Sequence, residues 1–171
     1  YMFNHGFSTA ALFLVLGFLV KRRRSAQVDA FGGVQKTAPV LAGMFLFAGL
    51  ATMSLPGISN FIGEFMVLAG AWSRHPVYVA VATLGMVLGA VYILLTYKRT
   101  MTGPLTQATK AHVTTDLTGL EKAALTPLVI LLLVFGFFPR PMLHVIEPVA
   151  HQTMSIVGVT DPAPAAEEGV K

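Results

Sequence analysis

Leu55-Pro56-Gly57-Ile58-Ser59-Asn60-Phe61-Ile62-Gly63-Glu64 sets a helix breaker and a carboxylate close together inside one long apolar run. The run reaches from Pro39 to Trp72. As a single α-helix it would be about 51 Å long, against about 30 Å for the hydrocarbon core of a membrane. Something has to interrupt it. Pro56 removes a backbone donor and clashes with the preceding turn, and Gly57 permits conformations closed to other residues. The reading is a discontinuous helix, broken between Leu55 and Asn60, whose second half starts near Phe61 and whose free backbone groups lie near the membrane middle. Such groups are tolerated only where protein or water covers them, so broken membrane helices tend to line ion paths. A simple proline kink or a helix-loop-helix hairpin is the alternative.

The whole composition agrees with a membrane setting. Of 171 residues, 54% are hydrophobic and 12% charged, with a mean hydropathy of +0.69; a soluble domain carries roughly 25% charge. That excludes a soluble enzyme core. The formal net charge of +4 has no hydrophilic face on which a nucleic-acid groove could be built, so no nucleic-acid partner is expected and the lipid bilayer is. The absence of cysteine removes iron–sulfur ligation, CxxC chemistry, cysteine zinc sites and disulfides from this chain. The opening Tyr1-Met2-Phe3-Asn4-His5 is apolar without a basic n-region, and the sequence reads as the C-terminal piece of a longer chain.

The fold class is all-α, a polytopic transmembrane bundle with four helices, the second one discontinuous. A transmembrane region over 1–140 has spans at about 1–20, 39–72, 77–97 and 120–139. The two long connectors carry Lys21, Arg22, Arg23, Arg24, Lys36, Lys98, Arg99, Lys110 and Lys122; the short turn and the tail carry only Arg74, Arg140 and Lys171. Positive residues near helix ends are retained on the cytoplasmic side, so both long connectors face inward and the C-terminus lies outside. Residues 141–158 have apolar positions at near-helical spacing and read as an amphipathic helix on the outer surface. Residues 159–171 have no periodicity and read as disordered.

Glu64 is the only acidic residue in any of the four spans when the fourth is counted over its charge-free stretch, Ala123 to Pro139. Counted from Arg74, it lies about 15 Å into the membrane, close to the midplane. A carboxylate there costs at least about 2.5–3.5 kcal/mol by insertion scales and needs a partner or a water-filled cavity. Its protonation responds to any neighbouring charge that comes and goes, which is the chemistry of a proton relay. A structural ion pair between helices is the plainer alternative. His5, alone on the first span, is the second candidate, because an imidazole can pass a proton between its two nitrogens; a hydrogen-bonded packing role competes. Asn4, Ser8 and Thr9 could hold water beside it or orient its ring. His144 and His151 lack further ligands and are read as solvated, with no metal site. Gly85-x-x-x-Gly89 is read as a helix-packing motif, and Tyr97 beside Lys98 and Arg99 as an interfacial anchor.

Three blocks give the chain a resemblance: Asn4-His5-Gly6-Phe7-Ser8-Thr9-Ala10-Ala11-Leu12-Phe13, Phe31-Gly32-Gly33, and Leu55 through Gly63-Glu64-Phe65. Together they closely resemble the antiporter-like membrane subunits of respiratory complex I, the proton-pumping NADH-quinone oxidoreductase. The L and N subunits of that family have lysines where this chain has Thr9 and Glu64, so the pattern is that of the M subunits. The resemblance runs from Tyr1 to about Leu143. It implies a proton-translocating subunit of a translocase in the bacterial plasma membrane, drawn from a fold of two inverted five-helix repeats. Glu64 would be the terminal proton-transfer residue and His5 part of the hydrated polar axis leading to it. No cofactor is implied in this chain; NADH, FMN, iron–sulfur clusters and quinone would belong to partner subunits, and the L and N subunits would be neighbours. A subunit of a multisubunit cation/proton antiporter, or a passive structural subunit, remain the other readings.

Overall fold

The computed structural model describes residues 1–158; the disorder expected for 159–171 lies outside them. Two units are distinguished, residues 1–137 and the segment that begins at Phe138. The first holds α1 (Met2–Arg23), α2 (Pro39–Thr52), α3 (Ser59–Trp72), α4 (Pro76–Met101), the short α5 (Gln107–His112) and α6 (Gly119–Phe137). The second holds α7 (Arg140–Val157). By length and composition, α1, α4 and α6 are each able to cross a membrane. At about 21 Å apiece, the two 14-residue helices α2 and α3 are each too short to do so alone.

Within the first unit α1 packs against α2 and α6, α3 against α6, and α4 against both α2 and α3. The buried stripe of α1 is Asn4, Ser8, Ala11, Val15 and Leu19, a spacing of four and three residues that keeps one helical face toward the core. That face changes character along its length. Val15 and Leu19 join Phe31, Val34, Leu41, Phe45, Met101, Val113, Leu117 and Leu125 in the larger apolar cluster. Ala11 belongs to a smaller one with Ala48, Ala51, Ile58 and Leu132. Beyond Ala11 the stripe turns polar.

The two long connectors fold as one layer at the basic end of the bundle. Gly33 N–H donates to Thr102 O at 3.0 Å and Thr106 N–H to Gly32 O at 3.4 Å. Gly33 has φ +65°, and a Cβ there would run into the backbone of Leu105, so only glycine fits this approach. Asp116 reaches across to the start of α2, accepting from Val40 N–H at 2.8 Å and Leu41 N–H at 2.9 Å. Pro39 at the first turn needs no acceptor, so a distant carboxylate completes a proline-initiated helix end. Thr118 and Glu121 form a capping box at the start of α6, with Thr118 N–H donating to Glu121 Oε2 at 2.8 Å.

Glu121 is held in turn by Arg22. The guanidinium donates to Glu121 Oε1 at 3.0 Å and to Oε2, and its remaining hydrogens go to the carbonyls of Phe18, Thr115 and Asp116. All five donors are used, and the two side chains are 9% and 13% exposed. Arg22, counted by sequence only as one of the positive residues that mark sidedness, is the joint between the ends of α1, α2 and α6.

The packing expected of Gly85 and Gly89 does not occur among the described residues, where neither lies against another helix. The glycine that lets α4 approach a neighbour is Gly49 of α2, which admits the Ile93 side chain. Tyr97 is half-buried, its ring 6.0 Å from that of Phe45.

Candidate functional site

The helical run is interrupted, but earlier than the proline suggests. α2 ends at Thr52 and α3 begins at Ser59, leaving Met53–Ile58 as the break. Termination is by a Schellman motif: Leu55 N–H reaches back to Leu50 O at 3.1 Å and Ser54 N–H to Ala51 O at 3.3 Å. Ser54 takes the left-handed conformation, φ 55°, where glycine is usual. The helix has therefore already ended when Pro56 is reached, and Pro56 prevents its resumption before Gly57. Gly57, at φ +94°, then turns the chain against α6. There a Cβ on Gly136 would land on the Gly57 carbonyl, so the crossing of break and α6 depends on that glycine.

The polar end of α1 holds the break in place. Asn4 Nδ2 donates to Ser59 O at 3.0 Å, and Asn60 Nδ2 donates to Ser8 Oγ at 2.8 Å and to Ala51 O at 2.9 Å. Asn60 so satisfies a carbonyl at the end of α2 while tying the start of α3 to α1. These residues are buried, Asn4 at 5% and Asn60, Ser8 and Ser59 at 0% exposure. The role expected of Asn4 and Ser8 beside the imidazole is thereby corrected: they belong to the buried face of α1, whereas His5 is exposed. Only Thr9 meets the ring, its Oγ1 3.4 Å from either nitrogen.

Glu64 lies in the second turn of α3 and is half-buried. Among the described residues no Lys, Arg or His forms an ion pair with it. It opens on a cleft of about 180 Å³ shared with Tyr1, Val67, Leu68 and Ala82. His5 is exposed and makes no hydrogen bond to Glu64 among the described residues. Tyr1 borders both candidates, its ring 5.7 Å from that of His5 and the residue itself lining the Glu64 cleft. Close to Tyr1 the helices are in backbone contact, since a Cβ on Gly63 would strike the Tyr1 backbone. Tyr1 was not singled out by sequence, where nothing distinguishes it from other aromatic residues at a helix start.

No group of three or more His, Cys, Asp or Glu residues among the described ones is arranged to hold a metal ion. On α7, His144 and His151 flank Glu147 at 3.8 and 4.0 Å on an exposed edge.

Residues 1–90, which carry the polar stripe of α1, the break and Glu64, match the family model described as NADH:quinone oxidoreductase/Mrp antiporter, transmembrane. The chain belongs to this family. Its similarity to individual members extends further. It is 47% identical over 170 residues to NADH-quinone oxidoreductase subunit M of Mycobacterium tuberculosis, covering 99% of this chain and 30% of that protein. It is 39% identical over 144 residues to the protein of the same name from Rickettsia felis, covering 84% of this chain and 29% of the relative. With NADH-ubiquinone oxidoreductase chain 4 of Arabidopsis thaliana it shares 39% identity over 142 residues, 83% of this chain and 28% of that one. The chain thus spans about 30% of the length of the curated relatives it matches. Membership in a membrane family accounts for the apolar helices, and the match to subunit M relatives agrees with the pattern of Thr9 and Glu64.

Proposed function

We propose that this chain forms the proton-transfer end of a subunit M-type protein in a proton-pumping NADH-quinone oxidoreductase, and that Glu64 takes up and releases the proton. The observation that carries this is the setting of Glu64. It is a half-buried carboxylate in the second turn after a break in the helical run, with no cation paired to it among the described residues and a cleft at its side. A carboxylate locked in an ion pair has its charge fixed by its partner. One without such a partner changes protonation when a nearby charge changes, and it does so where water can deliver the proton. His5 stands on the same side of the site and shares Tyr1 with Glu64 as a neighbour; its role in this proposal is to pass protons along the polar axis toward Glu64.

The chain itself would carry no redox group. Quinone reduction in partner subunits holding FMN and iron–sulfur clusters would supply the driving force, with the L- and N-type antiporter-like subunits as neighbours in the membrane. The long connectors would face the cytoplasm of a bacterial cell and the C-terminus the outside. Residues 1–140 would be the transmembrane region, with α2 and α3 the halves of one discontinuous span, and α7 would lie along the outer membrane surface.

A subunit of a cation/proton antiporter is the second reading, favoured by the family description, which names both complexes. The relatives above favour the first, since each is named as an NADH-quinone or NADH-ubiquinone oxidoreductase component. Purification of the full-length protein from its own membranes in mild detergent separates them. Recovery with flavin- and iron–sulfur-containing subunits and NADH-dependent quinone reduction is the expected result. Recovery in a complex that lacks both and exchanges sodium for protons would replace the first reading with the second.

A further inference from the structure

Four buried side-chain atoms around the break have no hydrogen-bond partner among the described residues: Asn4 Oδ1, Asn60 Oδ1, Ser54 Oγ and Ser59 Oγ. The amide groups of both asparagines are already oriented, because their Nδ2 atoms donate to Ser59 O, Ser8 Oγ and Ala51 O. Each Oδ1 is therefore an acceptor that must receive a hydrogen from elsewhere, and leaving a buried polar group unpaired costs about 1–3 kcal/mol. Their exposure is too low for outside help. Asn4 is 5% exposed, and Ser54, Ser59 and Asn60 are 3%, 0% and 0%, so neither another subunit nor another part of a longer chain reaches these atoms without opening the fold. What satisfies them has to be enclosed with them.

We propose that the polar layer formed by Asn4, Ser54, Ser59 and Asn60 at the α2–α3 break is a binding site for internal water. Water is favoured over a cation by the two helix ends that meet there. α2 brings the partial negative charge of its C-terminal carbonyls, and α3 brings the partial positive charge of a first turn that no side chain caps. A cation attracted by one end is repelled by the other, and no carboxylate belongs to the layer to offset it. Water donates to the asparagine oxygens and accepts from the first-turn amides and serine hydroxyls, which serves both ends. Its place in the fold gives it a positioning role: it completes the start of the helix whose second turn carries Glu64, and it does so whether or not Glu64 carries protons.

The test is a map of the whole membrane complex at a resolution that shows ordered water, for the unmodified protein and for Asn4→Leu, which keeps the branched shape of the side chain and removes its oxygen together with the Nδ2 donor to Ser59 O. In the unmodified complex, one density within hydrogen-bond reach of Asn4 Oδ1 and another within reach of Asn60 Oδ1 are expected. The variant should lose the density next to residue 4 and keep the one at Asn60. A dry layer in which the hydroxyls of Ser54 and Ser59 turn onto the asparagine oxygens would overturn the proposal. So would a single ion held by several oxygens at less than about 2.6 Å, the range of metal–oxygen contacts rather than hydrogen bonds. Should Asn4→Leu fail to assemble, the unmodified complex decides between these outcomes by itself.

Discussion

Arg22 and Glu121 should be the most sensitive pair at the basic end of the bundle. The guanidinium places its five hydrogens on five acceptors, two of them the carboxylate oxygens of Glu121 and three backbone carbonyls from α1 and the segment before α6. Both side chains are nearly covered, at 9% and 13%. An exposed ion pair is worth about 0–1 kcal/mol, whereas removing one member of a buried pair costs about 3–5 kcal/mol because the other charge stays behind. Arg22→Ala should fall in the upper range, since it strands Glu121 and releases three carbonyls as well. Arg22→Lys keeps the charge, but one nitrogen cannot reach acceptors spread around a planar fork, so an intermediate loss of about 1–2 kcal/mol is expected. In Arg22→Met with Glu121→Met no charge is left unpaired, and the double variant should be less destabilised than Arg22→Ala despite losing the Thr118 cap. The assay is reversible unfolding of the full-length protein in mixed detergent micelles. A loss below about 1 kcal/mol for Arg22→Ala would show that the pair behaves as a surface pair, and the joint between α1, α2 and α6 would have to be sought elsewhere.

Gly136→Ala should destabilise by about 1–3 kcal/mol in the same assay, because its Cβ meets the Gly57 backbone, which cannot swing aside as a side chain would; an unchanged midpoint would show that α6 does not cross the break so closely. Ser54→Gly should stabilise by about 1 kcal/mol by relieving a left-handed serine, and a loss of stability instead would show that the buried hydroxyl contributes more than the backbone strain removes. Single cysteines at Ser25 and Ser155 should react with a membrane-impermeant reagent from opposite sides of the membrane; reaction of both from one side would contradict the proposed topology.

Much of this architecture could be read from sequence because bilayer thickness and helical rise leave few choices. An apolar run from Pro39 to Trp72, charged only at Glu64, is too long for one crossing, and the structure starts α2 and ends α3 at those two residues. The exact stop was less legible. Pro56 is the visible breaker, but Ser54 terminates α2 through a backbone conformation that serine seldom takes, so no composition rule marks it. Arg22 was hidden for a different reason: the distribution of positive charge reads every Lys and Arg as a marker of sidedness, and the partner is 99 residues away. Asn4 and Ser8 could have been found. Their spacing with Ala11, Val15 and Leu19 is that of one helical face, and a face that continues into apolar core residues points inward, away from His5.

The central claim is that Glu64 moves protons, and the most direct measurement is the number of protons pumped per NADH oxidised by the assembled complex carrying Glu64→Gln, with Glu64→Asp beside it. Gln keeps the size and hydrogen bonding of the side chain but cannot ionise, while Asp keeps the carboxylate on a shorter arm. With no cation paired to Glu64 among the described residues, the Gln variant should assemble. It should then lose most proton pumping, and coupled NADH oxidation with it, while Asp retains a substantial part. An assembled Gln variant that pumps the normal number of protons per NADH would contradict the claim.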